Sequence, residues 1–154
     1  MRLDVRLGDL DHGDAVQLID ALDAEIAARY DEPVASYVLA LGPDEVAPGH
    51  GALALARLGD EVVGCGAVRL IDEDTAEVKR MFVVPEFRGR NAAREILGFL
   101  EAQARAMGAS RVVLETVTDP PAAVALYRSA GYEEIPRFGP YAESDVSFCM
   151  GKFL

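Results

Sequence analysis

The sequence predicts an α+β fold, and three observations carry that prediction. Between residues 52 and 84, strand-like runs follow one another across turns of two or three residues, which makes sequential strands antiparallel neighbours. Residues 75–84, 93–107 and 110–117 then read as strand, long amphipathic helix and strand. Such a crossover returns the chain parallel to itself. A shorter helical run and two more strand-like runs finish the chain.

Residues 2–7 (RLDVRL) alternate apolar and polar side chains, the period of a short strand. Asp14 can cap a following helix whose Val16, Ile19, Leu22 and Ile26 recur at three- and four-residue spacing. From Tyr30 to Gly51 the pattern dissolves into Pro33, Gly42, Pro43, Pro48 and Gly49. A connection this long suits a functional lid, with a short helical piece at 34–41. ALALARL (52–58) and EVVGCGAVRLI (61–71) meet at Gly59 and Asp60, a hairpin signal. A second tight turn at residues 72–74 leads into TAEVKRMFVV (75–84), which Pro85 closes. The next helix sets Ala93, Ile96, Leu97, Leu100, Ala104 and Met107 on one face and stops at Gly108. SRVVLETV (110–117) is a buried strand, and Asp119 with two prolines opens the helix AAVALYRSA, which ends at Gly131. YEEIP and SDVSFCMGKF are the last strands.

A chain of 154 residues, 51% apolar and 27% charged, is expected to fold as one domain spanning 1–154. No apolar run approaches the ~18 residues of a membrane span, and the charged start MRLDVRLGDLDHGD lacks a signal-peptide core. The expectation is a cytoplasmic protein with no membrane partner. A net charge of −11 argues against non-specific nucleic-acid binding and favours a cationic partner such as an amine or basic peptide. Cys65 and Cys149 stand in strand-like runs without CxxC or a nearby histidine cluster. Buried free thiols are therefore expected, and no metal.

RGRNAAREI (88–96) joins a strand to a helix. The first N–H groups of a helix lack internal partners and lie at its positive end, so a short turn there makes an anion site. Arg88 and Arg90 add charge. The segment is neither GxxxxGK[ST] nor GxGxxG. On physical grounds alone, a phosphate loop and an ordinary connection with solvent-facing arginines fit equally well.

The segment VKRMFVVPEFRGRNAAREIL, followed by LETVTDPPAAVALYRSAGYEEI, resembles the acetyl-CoA-binding half of the GNAT superfamily of N-acetyltransferases. The family's loop [QR]-x-x-G-x-[GA] falls on Arg88, Gly89, Arg90, Asn91, Ala92 and Ala93. The likeness is strong over 75–135, and over 1–60 it is an order of elements. It implies a mixed, mostly antiparallel sheet of about six to seven strands with helices on both faces and the parallel pair at the cofactor cleft. It also implies acetyl-CoA as co-substrate, with its pyrophosphate on the amides of 88–93. The pantetheine arm would lie along Met81, Phe82 and Val83, and an N–H near Phe82 and Val83 would face the developing oxyanion. Asn91 departs from the pattern's glycine. Asparagine tolerates a left-handed backbone, but as a helix N-cap its side chain could occupy an N–H that phosphate needs. An asparagine that often contacts pantetheine in relatives is also missing, with Asp119 and Pro120 in that region.

The resemblance implies direct attack by a primary amine, which suits a chain without a Ser-His or Cys-His arrangement. His12 and His50 both stand in loop-like glycine contexts. Glu77 matches a glutamate used as general base in some members. Strand alternation would place Glu77, Lys79, Met81 and Val83 on one face, partly desolvating the carboxyl. A solvent-facing glutamate paired with Lys79 or Arg69 is the plain alternative, and Glu115 is the second candidate base. Tyr127 of LYRSAGY matches the tyrosine that serves the leaving thiolate and also touches the cofactor; a core tyrosine packed near Val124 is its plain alternative. Tyr30, Tyr37, Phe138 and Tyr141 could line the acceptor pocket. Arg80 could hold a substrate carboxylate or simply face solvent. A small-molecule amine, a peptide amine and a non-catalytic acyl-CoA-binding module all remain open, as does a homodimer.

Overall fold

The computed structural model of the chain describes residues 2–8, 13–29, 43–118 and 121–154. Its strands are β1 (Leu3–Leu7), β2 (Gly51–Leu58), β3 (Glu61–Leu70), β4 (Thr75–Val83), β5 (Arg111–Thr116), β6 (Glu133–Glu134) and β7 (Phe148–Phe153). They form one sheet in the order β1-β2-β3-β4-β5-β7-β6. The helices among the described residues are α1 (Gly13–Arg29), α2 (Ala92–Ala106) and α3 (Ala122–Ser129). All neighbouring strands are antiparallel except β4 and β5, as the crossover through α2 requires. The expected α+β class and mixed, mostly antiparallel sheet are what the chain adopts. YEEIP yields two strand residues, and the expected helical piece at 34–41 and the Asp119 cap lie outside the described residues.

The helices cover the sheet from both sides. α2 lays Ile96, Leu97, Leu100 and Ala104 on the face built by Val63, Val68, Ala76, Val78, Val112 and Leu114. Burying each such aliphatic side chain contributes about 1.5–3 kcal/mol, so this layer anchors the crossover. The approach is close at Gly66, where an added Cβ would fall 2.6 Å from Met81 Sδ and 2.9 Å from side-chain carbons of Ile96 and Leu100. On the opposite face, α1 packs Ala15, Leu18 and Leu22 against Leu53, Leu55, Cys65, Ala67 and Phe82. The stripe expected for this helix is rotated. Val16 is 44% exposed, because fully buried Ala15 brings the adjacent face against the sheet.

Two irregularities in β4 shape everything that follows. Cys65 stands opposite Phe82 and Ala67 opposite Lys79, so one residue of β3 faces two of β4. Arg80 adopts φ +59, the bulge conformation that absorbs the extra residue. Alternation therefore changes phase at Arg80. Ala76, Val78, Met81 and Val83 all lie on the α2 face, whereas Phe82 joins the α1 side. The expectation that Glu77 shares a face with Met81 and Val83 is thus overturned. Secondly, β4 and β5 pair from Thr75 and Arg111 only as far as Val78 and Leu114. β5 continues beside β7 to Thr116, so the two parallel strands splay.

Candidate active site

The splay leaves the β5-side edge of β4 without a strand partner from Lys79 to Val83. Peptide groups directed there are open to pair with an extended ligand. Met81, Phe82 and Val83 all lie along this edge. After Val83 a short turn, Pro85–Phe87, carries the chain into the loop that starts α2.

That loop has the backbone of an anion cradle. Gly89 takes φ +79 and Asn91 φ +65, ψ +8, so both occupy the left-handed region. Asn91 O accepts the first helical bond from Glu95 N at 3.0 Å, which makes Asn91 the N-cap. Its side chain makes no cap bond, so the competition raised by the sequence does not occur. Among the described residues, the N–H groups of Gly89, Arg90 and Asn91 donate to no protein acceptor. Ala92 and Ala93 open the helix, where N–H groups are orphaned by geometry. The loop thus presents unpartnered donors at a positive helix end, which fits a pyrophosphate.

Arg88 is braced rather than free. Its Nε donates to Val83 O and its Nη2 to Glu25 Oε1, both at 2.8 Å, and its guanidinium lies 5.5 Å from the Phe82 ring centre. The side chain locks the loop to the end of β4 and to α1. Arg90 sits over the Phe87 ring at 5.3 Å. Arg94 reaches from α2 to the end of α3, donating to Ser129 Oγ at 2.6 Å and Ser129 O at 3.1 Å. A cation at a helix C-terminus is favourably placed. The contact ties α3, and with it Tyr127, to the helix that follows the loop.

Glu77 and Glu115 lie on neighbouring strands with different surroundings. Glu77 is 1% exposed. Arg69, its register partner on β3, donates from Nε to Oε1 at 3.0 Å, and Nη2 lies 3.0 Å from the same oxygen. The Tyr141 hydroxyl donates to Oε2 at 2.8 Å. Arg69 also pairs with Glu45 at 3.1 Å. Glu77 is therefore not solvent-facing, and each of its oxygens already accepts from a protein donor. Tyr141, expected to line a pocket, is buried and spends its hydroxyl on Glu77. Its ring packs edge-on to Phe138, with centroids 5.3 Å apart. A buried tyrosine usually finds a partner for its O–H, and that tendency was the signal available in the sequence.

Glu115 stands two residues beyond Val113, the register partner of Glu77, and so shares its face. Its carboxyl is pushed up to about 7. Burial is the main cause and the Glu77 carboxylate adds to it, while the Ser147 hydroxyl and Lys79 oppose it. Tyr127 is buried, packed edge-on against Tyr132 with centroids 5.8 Å apart. Burial and the nearby Glu115 charge push its phenol above the usual tyrosine range. Its hydroxyl makes no hydrogen bond among the described residues. Tyr127 is thus both the core tyrosine and a donor left available. His50 is exposed on a turn, while His12, Tyr30 and Tyr37 lie outside the described residues. Cys65 and Cys149 are buried free thiols. Among the described residues no group of His, Cys, Asp and Glu could hold a metal ion, and no helix is long and apolar enough to cross a membrane.

Comparison with known proteins converges on the same architecture. Residues 17–132 match the model of the acetyltransferase (GNAT) family. An IAA acetyltransferase of Azospirillum brasilense is 39% identical over 140 residues, covering 90% of each chain. The crystal structure of a Klebsiella pneumoniae protein assigned as an acyl-CoA N-acyltransferase superposes with a TM-score of 0.82 at 31% identity, covering 99% of this chain and 97% of that one. PaiA N-acetyltransferase of Thermoplasma acidophilum, solved with coenzyme A, shares the fold at 14% identity with a TM-score of 0.73 and full coverage of both chains. The splayed parallel pair, the left-handed loop and the matched family model agree: this chain belongs to the GNAT family of acetyltransferases.

Proposed function

We propose that this enzyme moves the acetyl group of acetyl-CoA to a primary amine of a small molecule by direct attack, with Glu115 as general base. The observation that carries the reading is the cleft itself. An open strand edge leads into a loop of unpartnered N–H groups, with a carboxyl of pKa about 7 on the splayed partner strand. The coenzyme A held by the Thermoplasma neighbour supports the choice of donor. The name of the Azospirillum relative supports acetyl transfer over a binding-only role.

Acetyl-CoA supplies the activated acyl group and a thiol leaving group. Gly89, Arg90, Asn91, Ala92 and Ala93 hold the pyrophosphate through main-chain N–H groups, while Arg88 holds the loop in shape. Met81, Phe82 and Val83 receive the pantetheine arm along the open edge, and an N–H of this stretch meets the oxygen on which charge develops. Glu115, about half ionised near neutral pH, accepts the proton that the ammonium must lose before attack. Tyr127 donates a hydrogen bond where charge gathers on sulfur. Its raised phenol makes full proton transfer unfavourable, so it stabilises rather than protonates early. Glu77, matched by resemblance to a family base, is here a positioning residue. It fixes Tyr141 and Arg69, and its charge lifts Glu115.

Calorimetric titration with acetyl-CoA tests the donor site. Binding is expected in the wild type and in Tyr127→Phe. It should be lost in Gly89→Pro, because proline cannot adopt φ +79. A folded wild type that fails to bind acetyl-CoA would refute the reading.

A further inference from the structure

We propose that Arg80 anchors a carboxylate of the acceptor, so that the amine acetylated belongs to a molecule of amino-acid type. The inference rests on the acetyl-transfer reading and adds a substrate class to it.

Arg80 was open to two readings from sequence, a solvated strand arginine or an anion site. The structure removes the first, since its side chain is 5% exposed. Nη2 approaches Asp23 Oδ1 of α1 at 2.6 Å, a charge–charge contact off the hydrogen-bond axis. Nε and Nη1 are buried and find no acceptor among the described residues. A guanidinium carries five N–H donors in a rigid fork, and burying them unused is costly. Native proteins pair nearly all buried polar groups, so each open donor calls for an acceptor.

The position points the same way. Arg80 is the bulge residue, held at φ +59 where glycine or asparagine would fit with less strain. Bulges near active sites re-aim side chains, and this one lies on the part of β4 that has splayed from β5. Its open donors need an oxygen acceptor, and a planar carboxylate matches the guanidinium fork best. Asp23 turns one buried oxygen to Nη2, so it neutralises that edge and leaves Nε and Nη1 open. The acceptor would carry its amine to Glu115 and its carboxylate to Arg80.

The test compares free L-amino acids with the matching amino-acid amides as acceptors, following thiol release from acetyl-CoA. Several free amino acids should be acetylated, with KM at least tenfold below that of their amides. Arg80→Gln should erase that difference by raising KM for the acids alone, with KM for acetyl-CoA within twofold of wild type. Asp23→Asn should keep the preference, because it leaves Arg80 in place. Equal use of acids and amides by the wild type overturns the proposal. So does an Asp23→Asn enzyme that loses the preference as fully as Arg80→Gln, since the ion pair would then be merely structural. If neither series releases thiol, the acetyl-transfer reading is in question and a binding readout decides the anchor separately. The 15N-labelled Arg80 Nε–H resonance, assigned by its loss in Arg80→Gln, is titrated with the same amino acids. Movement with an acid and not with its amide upholds the anchor, and no movement with any of them overturns it.

Discussion

Glu77 and Glu115 are the same side chain on adjacent parallel strands, and their surroundings have made them into different groups. Glu77 sits where β4 and β5 are still paired and is closed in by Arg69 and Tyr141. Glu115 sits beyond the last residues that β4 and β5 pair, where desolvation and the Glu77 charge outweigh the opposing Ser147 hydroxyl and Lys79. The lesson is that burial alone does not make a base. Loss of water raises the pKa of a carboxyl, and at Glu115 the available donor and cation do not offset that loss.

The largest effect expected from this contrast is Glu115→Gln. It should lower kcat by about 10²–10⁴-fold with acetyl-CoA affinity unchanged, and flatten the pH–rate profile. In the wild type, kcat should rise with pH through about 7, because the base works when deprotonated. The same group weakens the fold at high pH. Its folded pKa exceeds the unfolded value of 4.5, so its stabilising contribution is complete below that value and is lost as pH rises through about 7. Glu115→Gln should therefore raise stability at pH 8 by about 1–3 kcal/mol, measured by urea unfolding. A variant less stable than wild type there would break the comparison.

Glu77→Gln sharpens it from the other side. Removing the charge opposite partly buried Arg69 should cost about 1–3 kcal/mol of stability. It should also shift the midpoint of the pH–rate profile downward, because the Glu77 carboxylate helps to lift Glu115. An unmoved midpoint, with the same loss of stability, would mean that the two carboxylates do not communicate.

The smallest effect is expected at the loop. Asn91→Gly should change acetyl-CoA affinity by less than about twofold, since the asparagine already adopts the left-handed backbone that glycine would provide. A marked tightening in calorimetry would show that the side chain obstructs phosphate after all.

Most of the fold was legible because its connections are short and chemically explicit. Gly59 and Asp60 specify one turn and residues 72–74 another, and the strand–helix–strand order leaves one parallel pair. What escaped were features without local cause. Nothing in TAEVKRMFVV marks a bulge, since Arg80 is a poor residue for a positive φ, and the alternation rule consequently misplaced Met81 and Val83. The Glu77 and Tyr141 pair joins residues 64 positions apart, and the raised Glu115 depends on burial by the fold and on the Glu77 charge of the neighbouring strand. The loop was found as a pattern, yet the bracing of Arg88 by Val83 and Glu25 belongs to tertiary structure.

That bracing divides α1 into two kinds of attachment. As far as Leu22 it is held by Ala15, Leu18 and Leu22 against apolar strands, a grip that added salt does not loosen. Farther along, Asp23 and Glu25 hold it to Arg80 and Arg88 by charge, and the Arg88 pair is substantially exposed. Exposed pairs weaken as ionic strength rises, on the scale of a Debye length of about 8 Å at physiological salt. The helix is thus fastened firmly at one end and ionically at the other. Added salt is therefore expected to loosen the Arg88 attachment before the apolar one.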